Sequence, residues 1–160
     1  LVNNASVFYP TSIENSTIED WNKIININLK APFFIATGLS KVLANSQGVI
    51  VNIIDIHSDR PLKNFSIYNI SKAGLKMLTK TLAKELAPNI RVNGISPGSI
   101  LWPQDELQLS EKEKIMMIDR IVLKRQGSPN DIAEAVLFLA NSKYITGEVI
   151  NIDGGRSLNQ

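Results

Sequence analysis

The chain contains no cysteine. That excludes disulfides, thiolate nucleophiles and zinc–thiolate centres. It contains one histidine, His57, too few for a histidine-based metal site, and no metal is expected. No apolar run approaches the roughly 20 residues that a bilayer-spanning helix needs. No basic run exceeds two residues, and 17 basic against 15 acidic residues leave a net charge of +2. So balanced a chain is expected to have neither nucleic acid nor a membrane surface as a partner. No signal peptide is visible, so the cytoplasm is the expected compartment. Internal repeats and low-complexity segments are absent as well. What is present is ordinary: 44% hydrophobic and 20% charged residues over 160 positions. That is one domain with enough apolar chain to bury a core.

The chain opens on Leu1 rather than Met, in "LVNNAS". This reads as the tail of a strand and a polar turn, so sequence upstream is expected. Three further strand candidates follow. "GVIVNIID" (48–55), "IRVNGISPG" (90–98) and "GEVINIDGG" (147–155) are short β-branched runs of the kind buried on both faces.

Helical stretches lie between them. The segment from Ser16 is long and amphipathic, with Ser16 and Glu19 placed as a capping box and Pro32 interrupting it. "SIYNISKAGLKMLTKTLAKELA" sets Ile70, Leu75, Leu78, Leu82 and Leu86 near helical spacing. "SPNDIAEAVLFLAN" starts with Ser128 as cap and Pro129 in the first turn. A weaker helix is expected over residues 110 to 122. Alternation of strand and helix predicts right-handed βαβ units on a parallel sheet, a Rossmann-like doubly wound α/β fold of about four strands. Chemistry in such sheets sits at the carboxyl ends of the strands. Asn3–Asn4, Asp55, Pro97–Gly98 and Asp153–Gly155 fall there.

Tyr68 and Lys72 stand four apart on one helical face. An ammonium near a phenol favours the phenolate, so the pair can work as a general acid/base. Asp55 ends the preceding strand, thirteen positions before Tyr68. A carboxyl group there can accept from amino or ring N–H donors or, protonated, donate to a ring nitrogen.

Taken together, the "NNA" turn, Asn28, Tyr68-x-x-x-Lys72, "VNGISPG" and "INIDGG" resemble the short-chain dehydrogenase/reductase family over essentially the whole chain. The resemblance implies that Tyr68 donates the proton and that Lys72 tunes it and holds the nicotinamide ribose. Asn28 would hold a water of the proton relay. Asn4, Ala5 and Ser6 of the turn, with Pro97, Gly98, Ser99 and Ile100, would line the cofactor site. Most of the family carries Ser where Asp55 stands. Asp55, "NNASVFYPT", "PGSILWP" and "KYITGEVINIDGGRSL" resemble the pteridine reductases best. That branch implies a pterin or folate substrate, held by Ser6, Phe8, Asp55, Tyr68 and Trp102, with Phe8 stacked on the pterin ring. It also implies NADPH as cofactor and a homo-oligomer, dimer or tetramer.

Neither G-x-x-x-G-x-G nor G-x-G-x-x-G occurs in the chain, so the phosphate-binding turn of the fold is not among these residues. Residues 1–160 therefore read as the carboxyl-terminal portion of a reductase domain. Two other readings stand beside pteridine reduction. One is a carbonyl reductase of the ketoacyl-thioester type. The other is a catalytically silent fragment serving as a binding or assembly module. His57 reads as a loop residue without a catalytic part, and Arg60 and Arg156 as solvated or paired.

Overall fold

The computed structural model describes residues 1–102 and 109–159. Four strands form one sheet: β1 (Val2–Asn3), β2 (Val49–Ile53), β3 (Arg91–Pro97) and β4 (Val149–Ile152). They lie side by side in sequence order, each pair parallel. The helices are α1 (Ile18–Ile25), α2 (Ala31–Asn45), α3 (Ser66–Leu86), α4 (Glu111–Asp119) and α5 (Pro129–Asn141). None of the described helices is long and apolar enough to cross a membrane.

The pleat divides the core in two. Ile50 and Val92 pack with Ala36 of α2 and Leu82 and Ala83 of α3 on one face. Val51 and Ile95 pack with Ala135 and Leu139 of α5 on the other. The sheet is thus doubly wound, as expected. Uniformly right-handed winding is not met. Strands laid down in one direction by crossovers of one hand keep all helices on one face. Because α5 lies on the face opposite α2 and α3, the β3–β4 connection has the other hand.

Local differences have local causes. The first helix is capped by Thr17 with Asp20, not by Ser16 with Glu19. The Ser16 hydroxyl instead donates to the Ser12 carbonyl at 2.6 Å. Pro32 does interrupt the long stretch. Between α1 and α2 the chain widens into a π-helical turn, Asn26–Lys30. A proline ring crowds the carbonyl four residues before it, and the extra residue of a π-turn relieves that. Along α3, Leu75 and Leu82 are buried, but Ile70 is 49% exposed. The caps Ser110 and Ser128 stand where the sequence places them.

Candidate active site

β2 delivers Asp55 to the carboxyl edge of the sheet, and the first turns of α3 bring Tyr68 and Lys72 against it. Tyr68 Oη donates to Asp55 Oδ2 at 2.8 Å. Asp55 Oδ1 accepts from the His57 N–H at 2.8 Å, capping the 3₁₀ turn Ile56–Ser58. The carboxylate therefore serves as turn cap and phenol partner at once. Lys72 is buried, and its Nζ donates to the Ile53 carbonyl at 3.0 Å. It stands 5.6 Å from the Tyr68 ring centroid.

Burial and then the Asp55 charge push the Tyr68 phenol well above the ordinary tyrosine range. Lys72 is itself pushed down to about 8 by burial, with Asp55 opposing in part. The site holds a neutral, proton-bearing phenol on a carboxylate.

Asn28 sits in the π-turn, fully buried, and its side chain is committed to protein. Oδ1 accepts from the N–H of Val7 at 2.8 Å and from Ser6 Oγ at 3.2 Å. Nδ2 donates to the Val7 carbonyl at 3.0 Å and to Ser71 Oγ at 3.2 Å. The amide is thus not the group that would hold a relay water.

A cleft of about 1010 Å³ opens over the site, lined by Asn4, Phe8, Asp55, Tyr68 and Pro97–Leu101 among others. It gathers most of the expected site residues. Ser6 is tied to Asn28 instead, and Ala5 is exposed beside it. Phe8 reaches the cleft with one face already taken: it stacks on Phe65 at 4.5 Å between centroids and meets Tyr68 edge-on at 4.9 Å. Trp102 is half-buried, and among the described residues Leu101 lines the cleft in its place. Of the loop that follows, residues 103–108 lie outside the described residues.

Sequence reasoning missed several contributors. Ser71 links Asn28 to Tyr68, donating to the Tyr68 carbonyl at 2.7 Å. Its signal was a small polar residue three past Tyr68, on the same helical face. His57 lines the cleft, its Nδ1 paired with the Arg60 carbonyl at 2.8 Å. Arg120 and Arg156 line it too.

A parallel, doubly wound sheet with a Tyr–Lys pair at its carboxyl edge defines a Rossmann-type α/β protein. A family model described as Enoyl-(Acyl carrier protein) reductase matches residues 1–157. The chain is 41% identical over 159 residues to 3-oxoacyl-(acyl-carrier-protein) reductase FabG of Thermotoga maritima, covering 97% of this chain and 64% of the relative. It is 40% identical over 162 residues to Dehydrogenase/reductase SDR family member 4 of Homo sapiens, covering 97% and 58%. An apo SCOR enzyme from Clostridium thermocellum superposes with a TM-score of 0.88 at 30% identity, over 99% of this chain and 62% of that one. A 4-hydroxyisoleucine dehydrogenase complexed with NADH superposes with a TM-score of 0.88 at 31% identity, over 99% and 69%. The chain belongs to the short-chain dehydrogenase/reductase family. It spans 58 to 64% of the length of the two relatives aligned by sequence.

Proposed function

We propose that this chain supplies the proton-transfer and substrate-binding residues of a nicotinamide-dependent oxidoreductase that interconverts a carbonyl group and an alcohol. The observation that carries the reading is the buried Tyr68–Lys72 pair, facing a cleft at the carboxyl edge of a parallel sheet. The 3-oxoacyl reductase among the relatives supports the carbonyl as substrate class.

The residues present fit a nicotinamide nucleotide. Lys72 is a buried cation with three N–H donors, of which its one described hydrogen bond engages one. The others suit ribose hydroxyls. Asn4 and Pro97–Ile100 would bound the ring. The bound nucleotide supplies or accepts the hydride. Tyr68 gives its proton to the oxygen that becomes the alcohol. NADPH is the first cofactor to test. NADH is the second, given the relative complexed with it.

Asp55 favours a second reading. A carboxylate beside the hydride acceptor repels a developing oxyanion but stabilises an N–H or cationic nitrogen. A C=N substrate, such as a dihydropterin or dihydrofolate, takes hydride on carbon and a proton on nitrogen, which suits the Asp55–Tyr68 unit. The test is nucleotide oxidation by the longest form the gene encodes, offered acetoacetyl thioester and dihydrobiopterin in parallel. Turnover of the thioester supports the first reading. Turnover of the pterin alone replaces it with the second. Turnover of neither leaves the silent binding module.

Self-association belongs to the proposal. Phe33, Phe34 and Val42 of α2 and Ile70 and Met77 of α3 expose large apolar surface, which a second copy would cover. Sedimentation velocity checks this, and a strictly monomeric protein would refute it.

A further inference from the structure

Two arginines line the cleft, and a third is tied to the turn that carries one of them. Arg120, just past α4, and Arg156, in the 3₁₀ turn Arg156–Leu158 after β4, line the same cavity as Asp55 and Tyr68. Arg60 is fastened to the second of them. Its Nη1 donates to the main-chain carbonyls of Arg156 at 3.3 Å and Ser157 at 2.6 Å. Asn159 Nδ2 donates to the Arg120 carbonyl at 2.8 Å. The loop after β2, the end of α4 and the C-terminal turn are thereby tied together, and three guanidinium-bearing residues come with them.

Gathering like charges is unfavourable unless something answers them. Burial holds the Arg156 guanidinium below its ordinary pKa, and the charges of Arg120 and Arg60 add to that, with the Asp153 charge opposing in part. Among the described residues, two carboxylates are already engaged. Asp153 accepts from the N–H groups of Gly155 at 2.9 Å and Ser157 at 2.7 Å. Asp131 pairs with Arg125 at 2.9 Å. Among the described residues the ion pairs are Lys76–Asp59, Lys114–Glu111 and Arg125–Asp131, and none includes Arg60, Arg120 or Arg156. An anion entering the cleft would add counter-charge, and the planar guanidinium fork matches a carboxylate. Much of the remaining lining is apolar, with Ile56, Leu62, Met117 and Ile132.

We infer that the cleft takes an oxo (or hydroxy) substrate with a carboxylate at the end remote from the reacting carbon, the two joined by an apolar stretch. Arg120 and Arg156 hold that carboxylate, and Arg60 is a positioning residue that fixes the turn carrying Arg156. This rests on the oxidoreductase reading above and names the substrate class for that same site.

The test compares 7-oxooctanoate with its methyl ester, which differ in the charge and not in the reacting ketone. The wild-type protein is expected to show a KM for the acid about tenfold or more below that for the ester, the loss typical of a charge-assisted hydrogen bond. The double variant Arg120→Gln/Arg156→Gln should erase the difference through KM for the acid. Arg60→Gln should move the acid's KM the same way by less. Equal KM values for acid and ester in the wild type would overturn the inference. So would an effect confined to KM for the nucleotide, which would assign the arginines to the cofactor. If neither ketone is turned over, acetoacetyl thioester turnover decides the carbonyl-reductase reading, and calorimetry of 7-oxooctanoate binding without cofactor decides the anion site separately. Binding by the wild type that is lost in the double variant upholds the site, and no binding by either refutes it.

Discussion

Tyr68 donates its hydroxyl proton to Asp55 Oδ2 at 2.8 Å, so phenol and carboxylate act as one unit. A carboxylate stabilises the proton on the phenol and opposes the phenolate. The phenol therefore stays protonated at ordinary pH, as a weaker acid than a solvated tyrosine.

Exchanging Asp55 for Ser tests this directly. Alcohol oxidation needs the phenolate as base, so its rate in the wild type should climb only at high pH. Asp55→Ser removes the negative charge that raises the Tyr68 pKa. The oxidation limb should then move down by about one pH unit or more, the usual effect of a removed neighbouring charge. A pH profile of kcat for oxidation, wild type against variant, checks it. Superimposable profiles would mean that Asp55 does not control the phenol.

Lys72 predicts a stability signature. Its pKa falls from the ordinary 10.5 to about 8 on burial. Below pH 8 both folded and unfolded chains carry the proton. Between pH 8 and 10.5 the unfolded chain keeps a proton that the folded chain has released, so stability rises with pH across that window. Above about pH 10 the unfolded tyrosine ionises first, which works against the fold. Relative to Lys72→Met, the wild type should gain on the order of 2 kcal/mol between about pH 8 and 9.5. Urea unfolding of both proteins at several pH values measures this. Parallel stability curves would show that the lysine stays charged in the fold.

Asn28 is expected to matter first as a structural clamp. Asn28→Ala leaves the Val7 N–H and carbonyl and the Ser71 hydroxyl without their partner, and should cost about 2–4 kcal/mol. Asn28→Asp keeps the acceptor for Val7 and Ser6 but loses both donors, so it should fall between. A loss below about 1 kcal/mol for Asn28→Ala in denaturant unfolding would show that the turn holds without the clamp.

The strands were legible in the sequence because β-branched runs end on Gly, Pro or Asp. Asp55 and Tyr68 were legible as a pair because a separation of thirteen positions bridges one strand end and one helix start. Three things were hidden for physical reasons. Ser16 and Thr17 both satisfy a capping-box spacing in register, and only the competing Ser16–Ser12 hydrogen bond decides between them. The periodicity of α5 reveals an apolar stripe but not which sheet face it covers. Arg60, Arg120 and Arg156 lie far apart in sequence, on three separate connections, so no local pattern announces their meeting.

Two glycines of β3 and its end should respond differently to alanine. A Cβ at Gly94 would come 2.5 Å from Ile54 Cδ1 and 3.1 Å from Val149 Cγ2, side-chain ends that can give way. A Cβ at Gly98 would come 2.7 Å from Asp153 Cβ and 2.8 Å from Asp153 Cα. Asp153 cannot retreat easily, since its carboxylate accepts from the Gly155 and Ser157 N–H groups that shape the turn beyond β4. Gly98→Ala must therefore push β4 and its turn away from β3. Overpacking of this kind costs about 1–3 kcal/mol, and Gly98→Ala belongs at the upper end with Gly94→Ala at the lower. The two should also part in function, because the displaced turn carries Arg156 and Gly98 itself borders the cleft. Gly98→Ala is expected to raise KM for substrate where Gly94→Ala leaves it alone. Thermal unfolding and steady-state kinetics on the two variants decide it. Equal losses in both readouts would mean that the sheet absorbs the added methyl anywhere along β3, and that the tight contact at Asp153 sets no geometry for the site.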